Sequence, residues 1–140
     1  MNAIGGVRFR AYSAGSHPSG KVNPFALELL QKNRVITSGA LSKAWDEYAK
    51  PGAPQMDIII TVCDQAAGEA CPVWPGRPMT AHWGVEYPAA VEETDEQRHA
   101  AFMKAFAVLQ KRIGLLANLR LESLDKLAME QHLKLIGKEQ

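Results

Sequence analysis

The chain has 140 residues, of which 46% are hydrophobic and 22% are charged, and its formal net charge is +1. This length and composition predict one compact domain, and the absence of a basic stripe or acidic tail argues against nucleic-acid or membrane-surface partners. The longest apolar run, residues 58–60, is far too short to span a membrane. The first residues lack the pattern of a signal peptide, so we expect a cytoplasmic location, where cysteines are chemical rather than structural.

The predicted elements alternate between strands and helices. In chain order they are a strand over residues 7–13, a helix over 23–33, a short helix over 41–48, a strand over 56–62, a short strand over 79–83, a long helix over 94–118 and a tail helix over 123–136. The first strand is predicted by alternating apolar and polar residues, and the second by a β-branched apolar run typical of a strand buried on both faces. Three strands among helices predict an α/β fold, although such sheets usually have about 4–6 strands.

Two helix starts are marked by capping residues. Asn23 can accept a hydrogen bond from a free backbone N–H, and Pro24 suits the first helical turn. Thr94 and Gln97 form a possible capping box at the start of the long helix. Apolar residues recur at intervals of three and four along that helix, which predicts that one face is buried.

Cys63 and Cys71 are the only two cysteines. Cys63 lies at the C-terminal end of the strand predicted over 56–62, where open α/β sheets place their chemistry. Cys71 lies in residues 64–78, which we interpret as a loop. A disulfide needs Cα atoms about 4.4–6.8 Å apart, and Gly68 among small neighbours would let the loop close that far. Spacing alone leaves two interpretations open, a redox pair or two unreactive buried thiols.

Other motifs are weaker. Residues 71–77 match the Cys-x5-Arg signature of phosphatases, but Pro72 and Pro75 lack the N–H groups that hold an oxyanion, so we interpret the match as coincidence. His82 beside Trp83 is interpreted as packing. The other histidines are interpreted as surface or loop residues: His17, His99 and His132. Without metal-ligand spacing or a Gly-rich nucleotide loop, neither a metal nor a cofactor is predicted.

Six short motifs follow one another along the chain. They are residues 12–16 (YSAGS), 22–24 (VNP), 41–46 (LSKAWD), 61–64 (TVCD), 71–76 (CPVWPG) and 82–84 (HWG). Together they resemble the arsenate reductases related to low-molecular-weight tyrosine phosphatases, and residues 121–127 resemble the C-terminal extension of the proteobacterial members. The resemblance implies the three-layer parallel sheet of the low-molecular-weight tyrosine phosphatase type, with the first strand and first helix absent. We expect an incomplete phosphatase-like arsenate reductase domain over 1–118 and a C-terminal helical extension over 119–140.

The resemblance also implies a cysteine relay. In that family, a cysteine of an N-terminal Cys-x5-Arg loop attacks arsenate, a second cysteine, matching Cys63, releases arsenite, and a third, matching Cys71, resolves the first disulfide. Thioredoxin or a similar dithiol reductant then reduces the Cys63–Cys71 bridge. The catalytic residues expected here are therefore Cys63 and Cys71. Two alternatives stay open: a non-catalytic phosphatase-like binding module and a relative of the low-molecular-weight tyrosine phosphatases.

Two departures from the family pattern bear on activity. The family's first strand and anion loop should precede Val7, but only six residues do and none is a cysteine. We therefore expect the chain as written to act on arsenate only if the missing N-terminus is supplied. Tyr87 stands where the family carries a proton-donating aspartate, and Glu86 is one residue away. Lys43 replaces the aspartate that binds potassium in some members, so no such ion is expected.

Overall fold

A computed structural model describes residues 1–69 and 72–140, without the side chain of Gln65. The helices are α1 (Asn2–Gly5), α2 (Pro24–Lys32), α3 (Asp64–Gly68), α4 (Asp95–Ala117) and α5 (Lys126–Ile136), and the strands are β1 (Ile58–Thr61) and β2 (Met79–His82). Short 3-10 turns lie at Gly6–Arg8, Trp45–Tyr48, Pro88–Ala90 and Leu121–Ser123. The described chain is therefore an α/β arrangement of helices around a small sheet.

Strands β1 and β2 are parallel neighbours. Ile58 lies opposite Met79, and Thr61 lies opposite His82. The strands predicted over 56–62 and 79–83 are confirmed, although each is only four residues long. β1 is half-buried along its length, not buried on both faces as expected. Because the two strands run in the same direction, Cys63 and Trp83, which follow them, lie at the same edge of the sheet.

The strand predicted over residues 7–13 is wrong. Gly6–Arg8 form a 3-10 turn, and residues 9–14 have no ladder partner within 1–69 and 72–140. The Asn2 side chain takes the place of a neighbouring strand, because its amide donates to the Ala11 carbonyl at 3.1 Å and accepts from the Ala11 N–H at 2.7 Å. Alternating residues indicate extended backbone but do not supply a partner strand. The described sheet consequently has two strands, not the three expected.

Helices α2 and α4 begin where their capping residues predict. The Asn23 side chain accepts from the Phe25 N–H at 2.9 Å, and Pro24 is the first helical residue. Thr94 and Gln97 form the complete capping box, with side chains and backbone groups bonded in both directions. These local bonds satisfy N–H groups that have no partner inside a helix, which is why the sequence located both starts.

The short helices differ from expectation. The helix predicted over 41–48 is reduced to the 3-10 turn Trp45–Tyr48, because Ser42 accepts from the distant Gly20 N–H and caps no helix. The tail helix begins at Lys126, capped by the Asp125 carboxylate, so its predicted start at residue 123 is wrong. Helix α3 lies inside the segment that was predicted as a loop.

The core lies where α5 packs on β2 and α4. Its buried residues are Ala81, Trp83, Leu116, Met129, Leu133 and Ile136. Leu133 is fully buried, and its carbonyl accepts the Trp83 indole N–H at 2.9 Å. A Cβ at Gly137 would lie 2.6 Å from the His82 carbonyl, so the end of α5 meets β2 closely only because this residue is glycine. Residues 119–140 thus share their core with the rest of the described chain.

Helices α2 and α4 meet through aromatic and charged side chains. The Phe25 ring packs edge-on against His99 at 4.7 Å and is stacked on Phe102 at 5.9 Å between ring centroids. Glu28 pairs with Lys32 at 2.7 Å and with His99 at 3.3 Å. The His99 side chain is 43% exposed in this contact, which agrees with its interpretation as a surface or loop residue.

The Glu28 contacts predict a pH-dependent stability. The hydrogen bond from Lys32, then that from His99, holds the pKa of Glu28 below its ordinary value of 4.5. A lowered folded-state pKa stabilises the fold above the unfolded pKa, and this stabilisation is lost as pH falls through the folded value. We expect Glu28→Gln to lower Tm slightly at neutral pH and to leave it unchanged in strong acid, as measured by circular dichroism. Glu93→Gln, at an exposed position, is the control, and an equal loss at both pH values would contradict the expectation.

None of the helices within residues 1–69 and 72–140 combines the length and the apolar character that a membrane-spanning helix needs.

Candidate functional site

Cys63 lies at the carboxyl edge of the β1–β2 pair. It follows β1 after one residue and is the N-cap of α3, with its sulfur accepting from the Ala66 N–H at 3.4 Å. The residue is half-buried and carries a free thiol. The predicted position of Cys63 at a strand end is confirmed, and the sulfur is held by a local contact while remaining partly accessible.

Cys71, the second predicted site residue, lies outside the described residues, together with Ala70. Its pairing with Cys63 therefore stays a prediction. Arg77, which completes the Cys-x5-Arg match, lies just before β2, at the sheet edge opposite to Cys63. Its carbonyl accepts from the Lys126 ammonium at 2.8 Å, which ties this turn to the start of α5.

His82 connects the two strand ends through its side chain. Its Nδ1 lies 2.8 Å from the Thr61 hydroxyl, and its Nε2 lies 2.8 Å from Oδ1 of Asp64. The imidazole is 39% exposed, so the interpretation of His82 as a packing residue is wrong, whereas its neighbour Trp83 is buried in the core. We call these contacts of His82 with Thr61 and Asp64 the bridge. The sequence did not predict the bridge, because it depends on the register that sets Thr61 opposite His82.

The chain after His82 is held by a buried arginine. Arg112 of α4 is 2% exposed, and its Nη1 donates to the carbonyls of Trp83 at 2.8 Å and Gly84 at 3.1 Å. Its Nε donates to the Glu139 carbonyl at 2.8 Å. A buried charge is costly unless it is hydrogen-bonded, and these three carbonyls supply that compensation. Arg112 therefore fixes the segment after β2 to α4 and to the end of the chain. Arg112 has no distinguishing signal in the sequence, because an arginine on a long helix resembles a surface charge.

The two candidates for a proton donor lie on the loop after Gly84. The Glu86 carboxylate pairs with Lys104 of α4 at 3.2 Å, and Tyr87 is 63% exposed. Both residues line an open cavity of about 490 Å³ between this loop and α4. Neither side chain has a hydrogen bond to Cys63 or His82 in the described part of the chain.

The comparison with protein families identifies the group to which this fold belongs. The family described as low molecular weight phosphotyrosine protein phosphatase matches residues 2–130. The chain belongs to this family. An α/β arrangement with a parallel strand pair fits membership of the phosphatase family, and the predicted superfamily is confirmed. The three-layer sheet and the absence of the first strand and helix stay predictions.

Several proteins that this chain resembles are named arsenate reductases. The chain is 33% identical to an arsenate reductase of Halalkalibacterium halodurans over 112 residues, which are 80% of this chain and 77% of the relative. It is 32% identical to an arsenate reductase of Bacillus licheniformis over 77% of this chain and 74% of the relative. An arsenate reductase of Bacillus subtilis is 30% identical over 71% of this chain and 68% of the relative.

Proposed function

We propose that this chain carries the dithiol that is regenerated in an arsenate reductase cycle, with Cys63 and Cys71 as its two sulfurs. The observation that carries the proposal is the placement of a free, half-buried Cys63 at the carboxyl edge of the parallel strands. The arsenate reductases among its relatives support the substrate class. The chain is proposed to act in the cytoplasm, because a dithiol cycle needs a compartment that keeps thiols reduced.

The proposed regeneration is a sequence of thiol–disulfide exchanges. In the relay of the family, Cys71 attacks the disulfide between Cys63 and the nucleophilic cysteine, so the Cys63–Cys71 bond forms while the nucleophilic cysteine leaves as a thiolate and takes up a proton. A thiolate of thioredoxin, or of a similar dithiol reductant, attacks one of the two sulfurs and releases the other cysteine as a thiolate, which takes up a proton. The second thiol of the reductant then attacks the mixed disulfide. The pair is restored with two protons and two electrons, and the reductant leaves as a disulfide.

Reduction of arsenate itself needs a further nucleophile. The 140 residues contain two cysteines, and both are assigned to the regenerating pair. The relay implied by the family resemblance uses a third cysteine in a Cys-x5-Arg loop to attack arsenate. We therefore propose that a polypeptide of this sequence does not turn over arsenate by itself.

The arsenate proposal predicts the outcome of a coupled assay. The purified polypeptide is incubated with arsenate, thioredoxin, thioredoxin reductase and NADPH, and NADPH absorbance is followed. We expect a rate equal to that of the mixture without the polypeptide. A complete arsenate reductase from a relative, added to the same mixture, is the positive control. Steady oxidation of NADPH that needs both arsenate and this polypeptide would refute the proposal.

A second candidate function is partner binding by a non-catalytic phosphatase-like module. It is favoured by one observation, that β1 pairs only with β2 within residues 1–69 and 72–140, so its other edge has free backbone groups. Such an edge can accept a strand from another chain. Sedimentation of the purified polypeptide distinguishes the candidates, because a stable dimer through this edge would be dispersed by Ile60→Pro, which removes an N–H that points away from β2, whereas the dithiol proposal requires only the monomer.

A further inference from the structure

The residues on both sides of Cys63 in sequence are bonded to one imidazole. Thr61 precedes Cys63 by two residues and Asp64 follows it directly, and His82 contacts both side chains at 2.8 Å. An ionised carboxylate accepts hydrogen bonds only, so Nε2 carries a proton and donates to Asp64. In the neutral ring, Nδ1 then accepts from the Thr61 hydroxyl. The bridge therefore joins the end of β1 to the first residue of α3 across the backbone of Cys63.

The backbone on one side of Cys63 is already fixed to the sheet. The Trp83 N–H donates to the Thr61 carbonyl at 2.8 Å, and the Val85 N–H donates to the Val62 carbonyl at 2.8 Å. On the other side, α3 has only five residues, and the Asp64 side chain is 95% exposed. Among the described residues, the His82–Asp64 contact is thus the side-chain hydrogen bond that connects the first residue of α3 to β2.

The bridge needs space that a glycine provides. A Cβ at Gly84 would lie 2.9 Å from His82 Nε2 and 3.1 Å from Asp64 Oδ1, both inside ordinary van der Waals contact. Any larger residue at position 84 would require the imidazole, the carboxylate or both to move from their present positions. Gly84 therefore offers a way to disturb the bridge without removing either of its groups.

We propose that His82 is a positioning residue for Cys63, a role that rests on the proposed dithiol function. By holding Thr61 and Asp64, it stabilises the turn in which the Cys63 sulfur accepts the Ala66 N–H. Cys63 is a free thiol in this turn, so the bridge favours the thiol form of Cys63 over the proposed Cys63–Cys71 disulfide. Because both partners are exposed, the bridge contributes little to global stability, and its effect is local to the cysteine.

The redox test measures the equilibrium between dithiol and disulfide in glutathione buffers, by counting thiols. Two lost hydrogen bonds between exposed groups predict that His82→Ala shifts this equilibrium toward the disulfide by about fivefold, equivalent to a reduction potential about 20 mV more negative. Gly84→Ala is expected to shift it in the same direction. His132→Ala, at an exposed position on α5, is the matched control and should leave the equilibrium unchanged. An equilibrium within twofold of the unsubstituted chain in both variants, with Tm unchanged, would overturn the proposal.

A second measurement does not depend on the disulfide. In a Cys71→Ser background, the rate of Cys63 alkylation by iodoacetamide reports how firmly the turn holds the sulfur. We expect His82→Ala to raise this rate about fivefold and to leave Tm unchanged. A merely structural role of His82 would instead lower Tm. An unchanged rate would overturn the positioning role. If His82→Ala raises the alkylation rate, but the chain with both cysteines forms no disulfide in any glutathione buffer, the positioning role is supported and the proposed function is overturned.

Discussion

Replacing Cys63 with serine is expected to abolish the intrachain disulfide and, with it, the thioredoxin-dependent reduction of the monomer. A hydroxyl cannot form the bond that thioredoxin attacks, and the two cysteines are the only sulfurs of the chain able to form it. After treatment with a mild thiol oxidant and removal of that oxidant, the unsubstituted chain should have lost two hydrogens by mass spectrometry. Cys63→Ser should keep the mass of the reduced form or appear as a disulfide-linked dimer.

Two further variants sharpen the Cys63 result. Cys71→Ser should behave in the same way, because both sulfurs are needed for the bond. Ser42→Ala, which removes only an exposed hydrogen bond from Gly20, is the matched control and should oxidise like the unsubstituted chain. An oxidised Cys63→Ser monomer that thioredoxin still reduces at the normal rate would show that the proposed pair is not the reactive one.

Replacing Arg112 with methionine is expected to cost about 3 kcal/mol of unfolding free energy. The substitution keeps most of the side-chain volume but leaves the carbonyls of Trp83, Gly84 and Glu139 without their donor. An unsatisfied buried polar group costs about 1–3 kcal/mol, and the partial exposure of the Glu139 end limits the sum. For a chain of this size, the loss corresponds to a fall in Tm of roughly 10 °C.

Lys104→Met is the matched control for the Arg112 variant. Lys104 lies on the same helix and makes an exposed ion pair with Glu86, with 73% of its side chain accessible. Exposed pairs contribute about 0–1 kcal/mol, so urea unfolding should give nearly the same midpoint as the unsubstituted chain. Equal stability losses in the two variants would show that Arg112 does not fix the segment after β2.

The elements that the sequence predicted are those with strong local signals. Asn23 and the Thr94–Gln97 box satisfy helix N–H groups within a few residues, so the starts of α2 and α4 were located without knowledge of the fold. The apolar run that forms β1 is equally local. The strand predicted over 7–13 failed because a strand needs a neighbour, and Asn2 bonds to Ala11 in its place.

The site was predicted only in part, for a similar reason. The position of Cys63 follows from the strand that precedes it. The bridge through His82 follows from the pairing of β1 with β2, which sequence spacing does not reveal. Helix α3 was missed because five residues ending in glycine carry too little periodicity to be distinguished from a loop. The Cys63 sulfur caps α3 by accepting from the Ala66 N–H. Because cysteine is not a usual N-cap residue, it did not mark this helix start in the sequence.

The most direct test of the proposed dithiol is the amount of NADPH that the oxidised chain consumes. The chain is oxidised, freed of oxidant and mixed with NADPH, thioredoxin reductase and a catalytic amount of thioredoxin. One NADPH per chain is predicted, and peptide mapping should then find newly formed thiols at Cys63 and Cys71. No consumption of NADPH above that of the reduced chain would contradict the assignment of these cysteines to a regenerating pair.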